Sequence, residues 1–92
     1  MSAVRHRIVV RGVVQGVGFR PHVAVLASDL GLAGSCRNDS SAVTIEVEGA
    51  APVLADFERR LVDDAPPLAR IDSVESTGVT PEGRACGFRI LE

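Results

Sequence analysis

Val10-Arg11-Gly12-Val13-Val14-Gln15-Gly16-Val17-Gly18-Phe19-Arg20 joins an apolar strand pattern to the start of an amphipathic helix. Upstream, His6 to Val13 reads as a strand, with Ile8 and Val10 on one face and Val9 and Arg11 on the other. Downstream, residues 21 to 30 read as a helix. Pro21 suits its first turn, and Val23, Leu26, Ala27 and Leu30 recur at i, i+3, i+4 and i+7. Gly31 fits a left-handed C-terminal cap. Between strand and helix, Gly16 and Gly18 are expected to relieve side-chain crowding, so that successive backbone N–H groups turn inward as an anion-binding nest. The helix aims its positive N-terminal end at the same point. Arg20 adds a guanidinium fork whose donors match phosphate oxygens. The plainer alternative is a tight strand-to-helix turn beside a solvated arginine. Two familiar phosphate motifs do not apply. No Gly-Lys-Ser/Thr follows and the chain contains no lysine, and the dinucleotide fingerprint lacks its third glycine.

Outward from this stretch, Gly34 to Asn38 reads as a short strand that turns through Asp39-Ser40-Ser41. In the strand that follows, Val43, Ile45 and Val47 alternate with Thr44, Glu46 and Glu48, which predicts one buried face and one wet face. A second helix starts near Pro52 with the stripe Val53, Leu54, Phe57 and Leu61. Asp56–Arg60 and Arg60–Asp64 have i,i+4 spacing on its solvated side. Pro66-Pro67 ends the helix. Leu68 to Thr77 alternates imperfectly, as a bulged or edge strand does. Thr80 to Gly83 reads as a turn, and Cys86, Phe88 and Ile90 alternate with Gly87, Arg89 and Leu91 in a last strand. The order βαββαβ plus one strand predicts an α+β fold, a ferredoxin-like α/β sandwich. Its four- to five-stranded antiparallel sheet would carry both helices on one face. No repeat or linker divides the chain, so residues 1–92 are expected to form one domain.

Composition narrows the function. A hydrophobic content of 46% suffices for one small core, and a net charge of −2 gives no reason to expect a nucleic-acid or membrane surface. Three Phe with no Trp or Tyr argue against base stacking on the sheet. No segment reaches the ~18 apolar residues of a membrane span, and no signal-peptide pattern is present, so the cytoplasm is the default location. Cys36 and Cys86 form no CxxC pair or Cys/His cluster, so no metal site is expected and a metal-chaperone version is excluded. Both are expected as reduced, partly buried thiols, able to pair only if their strands are neighbours. A regulatory version that binds a small molecule without catalysis needs no motif and stays open. Among the remaining polar residues, Gln15 suits a bond to its own loop backbone. His22 reads as an exposed histidine at a helix start, and His6 has no evident role.

The stretch from Val10 to Arg20 closely resembles the signature of acylphosphatases, a family in which a helix, Leu-x-Gly and a strand ending in asparagine follow. Here these are Leu32-Ala33-Gly34 and Asn38. Phe19-Arg20-Pro21, the short Asn38-to-Val43 connection and Pro66-Pro67-Leu68-Ala69-Arg70-Ile71-Asp72-Ser73-Val74 are most similar to one branch. That branch is the N-terminal acylphosphatase-like domain of the hydrogenase-maturation carbamoyltransferase. Ser35 and Ala42 depart from stand-alone members, which usually carry tryptophan and often glycine there. The resemblance implies hydrolysis of small acyl phosphates, carbamoyl phosphate in this branch, by a monomeric unit of a larger maturation enzyme. A stand-alone acylphosphatase is the alternative. By the same resemblance, the backbone amides of Gln15, Gly16, Val17, Gly18 and Phe19, together with Arg20, hold the phosphate. Asn38 orients the attacking water, and no cofactor is required.

Overall fold

In the computed structural model, which describes residues 3–83 and 87–91, the chain runs β1 (Val4–Val13), α1 (Phe19–Asp29), β2 (Ala33–Asp39) and β3 (Ala42–Gly49). It continues through α2 (Ala51–Asp63), β4 (Arg70–Val79) and β5 (Phe88–Ile90). The ferredoxin-like order expected from the sequence is the order observed. The strands lie side by side as β4-β1-β3-β2-β5. The first four pair antiparallel, whereas β5 runs parallel to β2, with Gly34 opposite Phe88 and Cys36 opposite Ile90. The departure from a wholly antiparallel sheet follows from the path. Strand β4 runs opposite to β1 and β2, so a chain that reverses after β4 and crosses to the β2 edge arrives running with β2.

Period-two alternation decides which side is covered. Ile8, Val10, Val43, Ile45, Val47 and Cys36 share the inner face with the buried residues of α1 (Phe19, Val23, Leu26, Ala27) and α2 (Leu54, Phe57, Leu61). Burying a side chain the size of Leu54 or Phe57 contributes about 1.5–3 kcal/mol, so this single layer supplies most of the stability. Helix α1 begins at Phe19, two residues earlier than the periodicity suggests, and closes on Leu30 with Gly31 in the expected left-handed conformation (φ 68°). On α2, Arg60 pairs with Asp64 at 3.1 Å as its spacing predicts. Asp56, however, pairs with Arg59 rather than Arg60.

Strand β4 is both an edge and bulged. Its partners step from Arg11–Ser73 to Gly12–Ile71, which leaves Asp72 as the extra residue. The outer face of β3 is not wet throughout, as the alternation had suggested. Thr44 and Glu48 are buried there, because β3 is a central strand and Arg5 lies across it. Residues 80–83 form an irregular segment rather than a turn, and the N–H groups of Glu82 and Gly83 donate to the Glu48 carboxylate at 2.7 and 3.0 Å. Cys86 and its expected place in the last strand lie outside the described residues. Among the described residues, no helix is long and apolar enough to cross a membrane.

Candidate active site

Residues 14–18 carry the chain from β1 to α1, and two left-handed glycines shape the path. Gly16 has φ 74° and Gly18 has φ 80°, and Gly18 stands at the N-cap of α1 with no side-chain cap. The sequence suggested that these glycines relieve crowding. Instead, a methyl group added at either would meet nothing within 4 Å. What glycine supplies here is the positive φ itself, which costs an L-residue roughly 1–2 kcal/mol. The N–H groups of Gly16, Val17 and Gly18 find no acceptor among the described residues. The first-turn N–H groups of α1 have no intrahelical partner by geometry. Phe19 is 1% exposed and its ring belongs to the core, so only its backbone is available to a ligand. Val17 packs against the same core.

Arg20 follows one residue later and lines a cavity of about 440 Å³ with Pro21, Asn38 and Ile90. Three elements meet there: the first turn of α1, the end of β2 and the end of β5. Asn38 shares the inner side of β2 with Cys36 and lies beyond the reach of the α1 cover, so its side chain is exposed. Arg20 has no ion-pair or hydrogen-bond partner among the described residues. Pro21 and Ile90 complete the wall and have no chemical signal in the sequence. Only the parallel placement of β5, clamped by Leu91 N–H to the Cys36 carbonyl at 2.7 Å, brings Ile90 there.

The other candidates fall into place around this cleft. Gln15 turns its side chain away from its own loop and donates to the carbonyls of Ser40 at 2.6 Å and Ala42 at 3.2 Å. Cys36 carries a free, buried thiol whose pKa burial pushes up to about 11, against the pull of Arg20's positive charge. It is therefore protonated and is no nucleophile near neutral pH. His22 is not the exposed histidine its position suggested. Its ring packs on Phe19 with centroids 5.7 Å apart, and Nε2 is buried without a partner among the described residues. His6 gains a partner the sequence did not show, with Nδ1 2.8 Å from Glu58 Oε2. A larger hollow of about 670 Å³ lies over the outer face, with Arg5, Arg37 and Arg89 beside Glu46 and Glu82. Both of its carboxylates pair with Arg5, which leaves Arg37 and Arg89 without an ion-pair partner among the described residues, and no acidic side chain of the described residues lines the cleft at Arg20.

The acylphosphatase family model matches residues 6–90. The carbamoyltransferase HypF2 of Cupriavidus necator is 55% identical over 89 residues, covering 97% of this chain and 11% of that protein. Among solved structures, full-length HypF in its phosphate- and nucleotide-bound form superposes with a TM-score of 0.94 at 34% identity, covering 99% of this chain and 12% of the other. The acylphosphatase of Bacillus subtilis gives a TM-score of 0.89 at 33% identity, covering 97% of this chain and 99% of its own. The chain thus spans about a ninth of the carbamoyltransferases it matches and nearly the whole of the small enzyme.

Proposed function

The chain belongs to the acylphosphatase family, and on that footing we propose that the cleft at Arg20 hydrolyses acyl phosphates to a carboxylate or carbamate and inorganic phosphate. The observation that carries this reading is a set of unpaired donors on one loop. The N–H groups of Gly16, Val17 and Gly18 have no acceptor among the described residues, and the next helix presents its N-terminal end and Arg20. Such donors cradle a phosphate dianion, and the guanidinium grips two of its oxygens. Asn38, across the same cavity, holds the attacking water through its side-chain amide.

In the reaction, the water oxygen forms a bond to phosphorus as the bond from phosphorus to the acyl oxygen breaks. The bonding electrons leave with the carboxylate or carbamate, and the water proton passes to a phosphate oxygen. A leaving group this weakly basic needs no general acid. Catalysis reduces to positioning and to stabilising charge on the transferring group. No nucleophilic side chain takes part, and the mechanism calls for no metal or organic cofactor.

By similarity to HypF, residues 1–92 serve as one acylphosphatase-like domain of a larger hydrogenase-maturation enzyme in the cytoplasm. Carbamoyl phosphate is then the natural substrate, and the isolated domain is a monomer. The test is hydrolysis of benzoyl phosphate and carbamoyl phosphate by the purified chain, with and without EDTA. Turnover of both, unaffected by EDTA and inhibited competitively by inorganic phosphate, is the expected result. Saturable binding of a small metabolite with no hydrolysis of either compound would replace the enzyme reading with a regulatory one.

A further inference from the structure

Gln15 is the one side chain among the described residues that hydrogen-bonds the cradle loop to the hairpin carrying Asn38. Its Nε2 spans two carbonyls, Ser40 at 2.6 Å and Ala42 at 3.2 Å, on either side of Ser41. Ser40 belongs to the two-residue turn that closes β2 onto β3 and Ala42 opens β3, where it pairs with Asp39 just beyond Asn38. Ser40 holds φ 56°, a conformation that a serine adopts only when its surroundings favour it. Both bonds sit at or near the surface, where a hydrogen bond adds little to global stability. A displaced positioning group is a different matter, because a shift of about 1 Å can cost about 10²-fold in rate.

We propose that Gln15 is a positioning residue that locks the β2–β3 hairpin onto the phosphate cradle and thereby sets where Asn38 holds water relative to phosphorus. This rests on the acyl-phosphate reading above. It assigns the Gln15 side chain to the hairpin and leaves phosphate binding to the loop amides and Arg20. The role needs a donor of the right length, which glutamine supplies through its amide NH₂ and a carboxylate cannot.

The experiment measures kcat on benzoyl phosphate and the inhibition constant of inorganic phosphate for wild type, Gln15→Met, Asn38→Ala and the double variant. Gln15→Met is expected to lower kcat about tenfold or more, to leave phosphate inhibition within about twofold, and to add no loss on top of Asn38→Ala. Full activity in Gln15→Met, loss of phosphate affinity in step with kcat, or additive losses in the double variant would each overturn the role. Gln15→Glu gives a second readout, a pH dependence, taken with the melting temperature of both proteins at each pH. Its activity relative to wild type should rise as pH falls through about 4.3, where the carboxyl gains a proton to donate. A flat ratio from pH 7 to pH 4 contradicts the proposal. Wild-type protein inert toward benzoyl phosphate would instead overturn the acylphosphatase reading itself.

Discussion

Two arginines in this small domain stand in opposite surroundings. Arg5, on the outer face of β1, is 8% exposed and held by Glu46 at 2.9 Å, Glu48 at 3.2 Å and Glu82 at 3.5 Å. Arg20, at the opening of α1, lines a cleft with Asn38, Pro21 and Ile90 and faces no carboxylate of the described residues there. Burial works against the Arg5 charge, yet its carboxylate partners outweigh that cost and raise its pKa further. The contrast sets an arginine satisfied within the fold against one whose charge the described residues leave unpaired. Where each guanidinium nitrogen is met by a carboxylate of the same chain, the arginine fastens strands together. Where an arginine lacks such partners beside backbone N–H groups that also lack acceptors among the described residues, as at Arg20, the proposed reading is a positive charge kept for a ligand.

The contrast can be broken by exchanging the fates of the two residues. Arg20→Ala is expected to lower benzoyl phosphate turnover by about 10²–10³-fold or more while the melting temperature stays close to wild type. Near wild-type turnover in that variant would reduce Arg20 to a solvated helix-start arginine. Asn38→Ala should lower kcat by roughly 10²-fold, with inhibition by inorganic phosphate nearly unchanged, because a group that holds the nucleophile acts in the transition state. A matching loss of phosphate affinity would make Asn38 a phosphate ligand or a prop.

Arg5→Ala should do the reverse. Removing one member of a largely buried cluster costs about 2–3 kcal/mol of stability, read as a lower denaturant midpoint, while turnover per folded molecule is retained. The same cluster predicts a milder effect of pH. Glu48 accepts N–H bonds from Glu82 and Gly83 and is paired with Arg5, which together hold its carboxyl below the usual range. Burial would raise Glu46, but Arg5 and Arg7 outweigh it and hold that carboxyl down as well. Carboxyls depressed by folding stabilise the protein above their unfolded pKa, and this stability is lost as pH falls through their folded pKa. The melting temperature should therefore hold from pH 7 down to about 4.5 and fall below it. In Arg5→Ala that acid-dependent drop should shrink.

Much of this was legible because it is local. The period-two runs in β1 and β3 and the 3.6 period of α2 name their buried residues directly, and Gly16 and Gly18 mark the left-handed turns of the loop between β1 and α1. What escaped the sequence depends on which segments meet in space. That Glu48 would be buried on a face expected to be wet required Arg5 to cross a central strand and residues 82 and 83 to fold back onto it. Ile90 joins the cleft only because β5 enters parallel to β2. Gln15 could be singled out as a polar residue in an apolar loop. Its partners, Ser40 and Ala42, are set by the hairpin's approach and not by spacing along the chain. His22 was misjudged for the same reason, because the packing of Phe19 covers one side of its ring.

The central claim is that phosphate is held by the loop between β1 and α1, and the most direct test is to titrate inorganic phosphate into ¹⁵N-labelled protein and follow its amide and guanidinium resonances. The account predicts saturable shifts centred on Gly16, Val17, Gly18, Phe19 and the Arg20 Nε–H. The dissociation constant should equal the constant for competitive inhibition of benzoyl phosphate hydrolysis. Shifts centred instead on Arg37 and Arg89 across the outer face, or saturation unrelated to the inhibition constant, would contradict it.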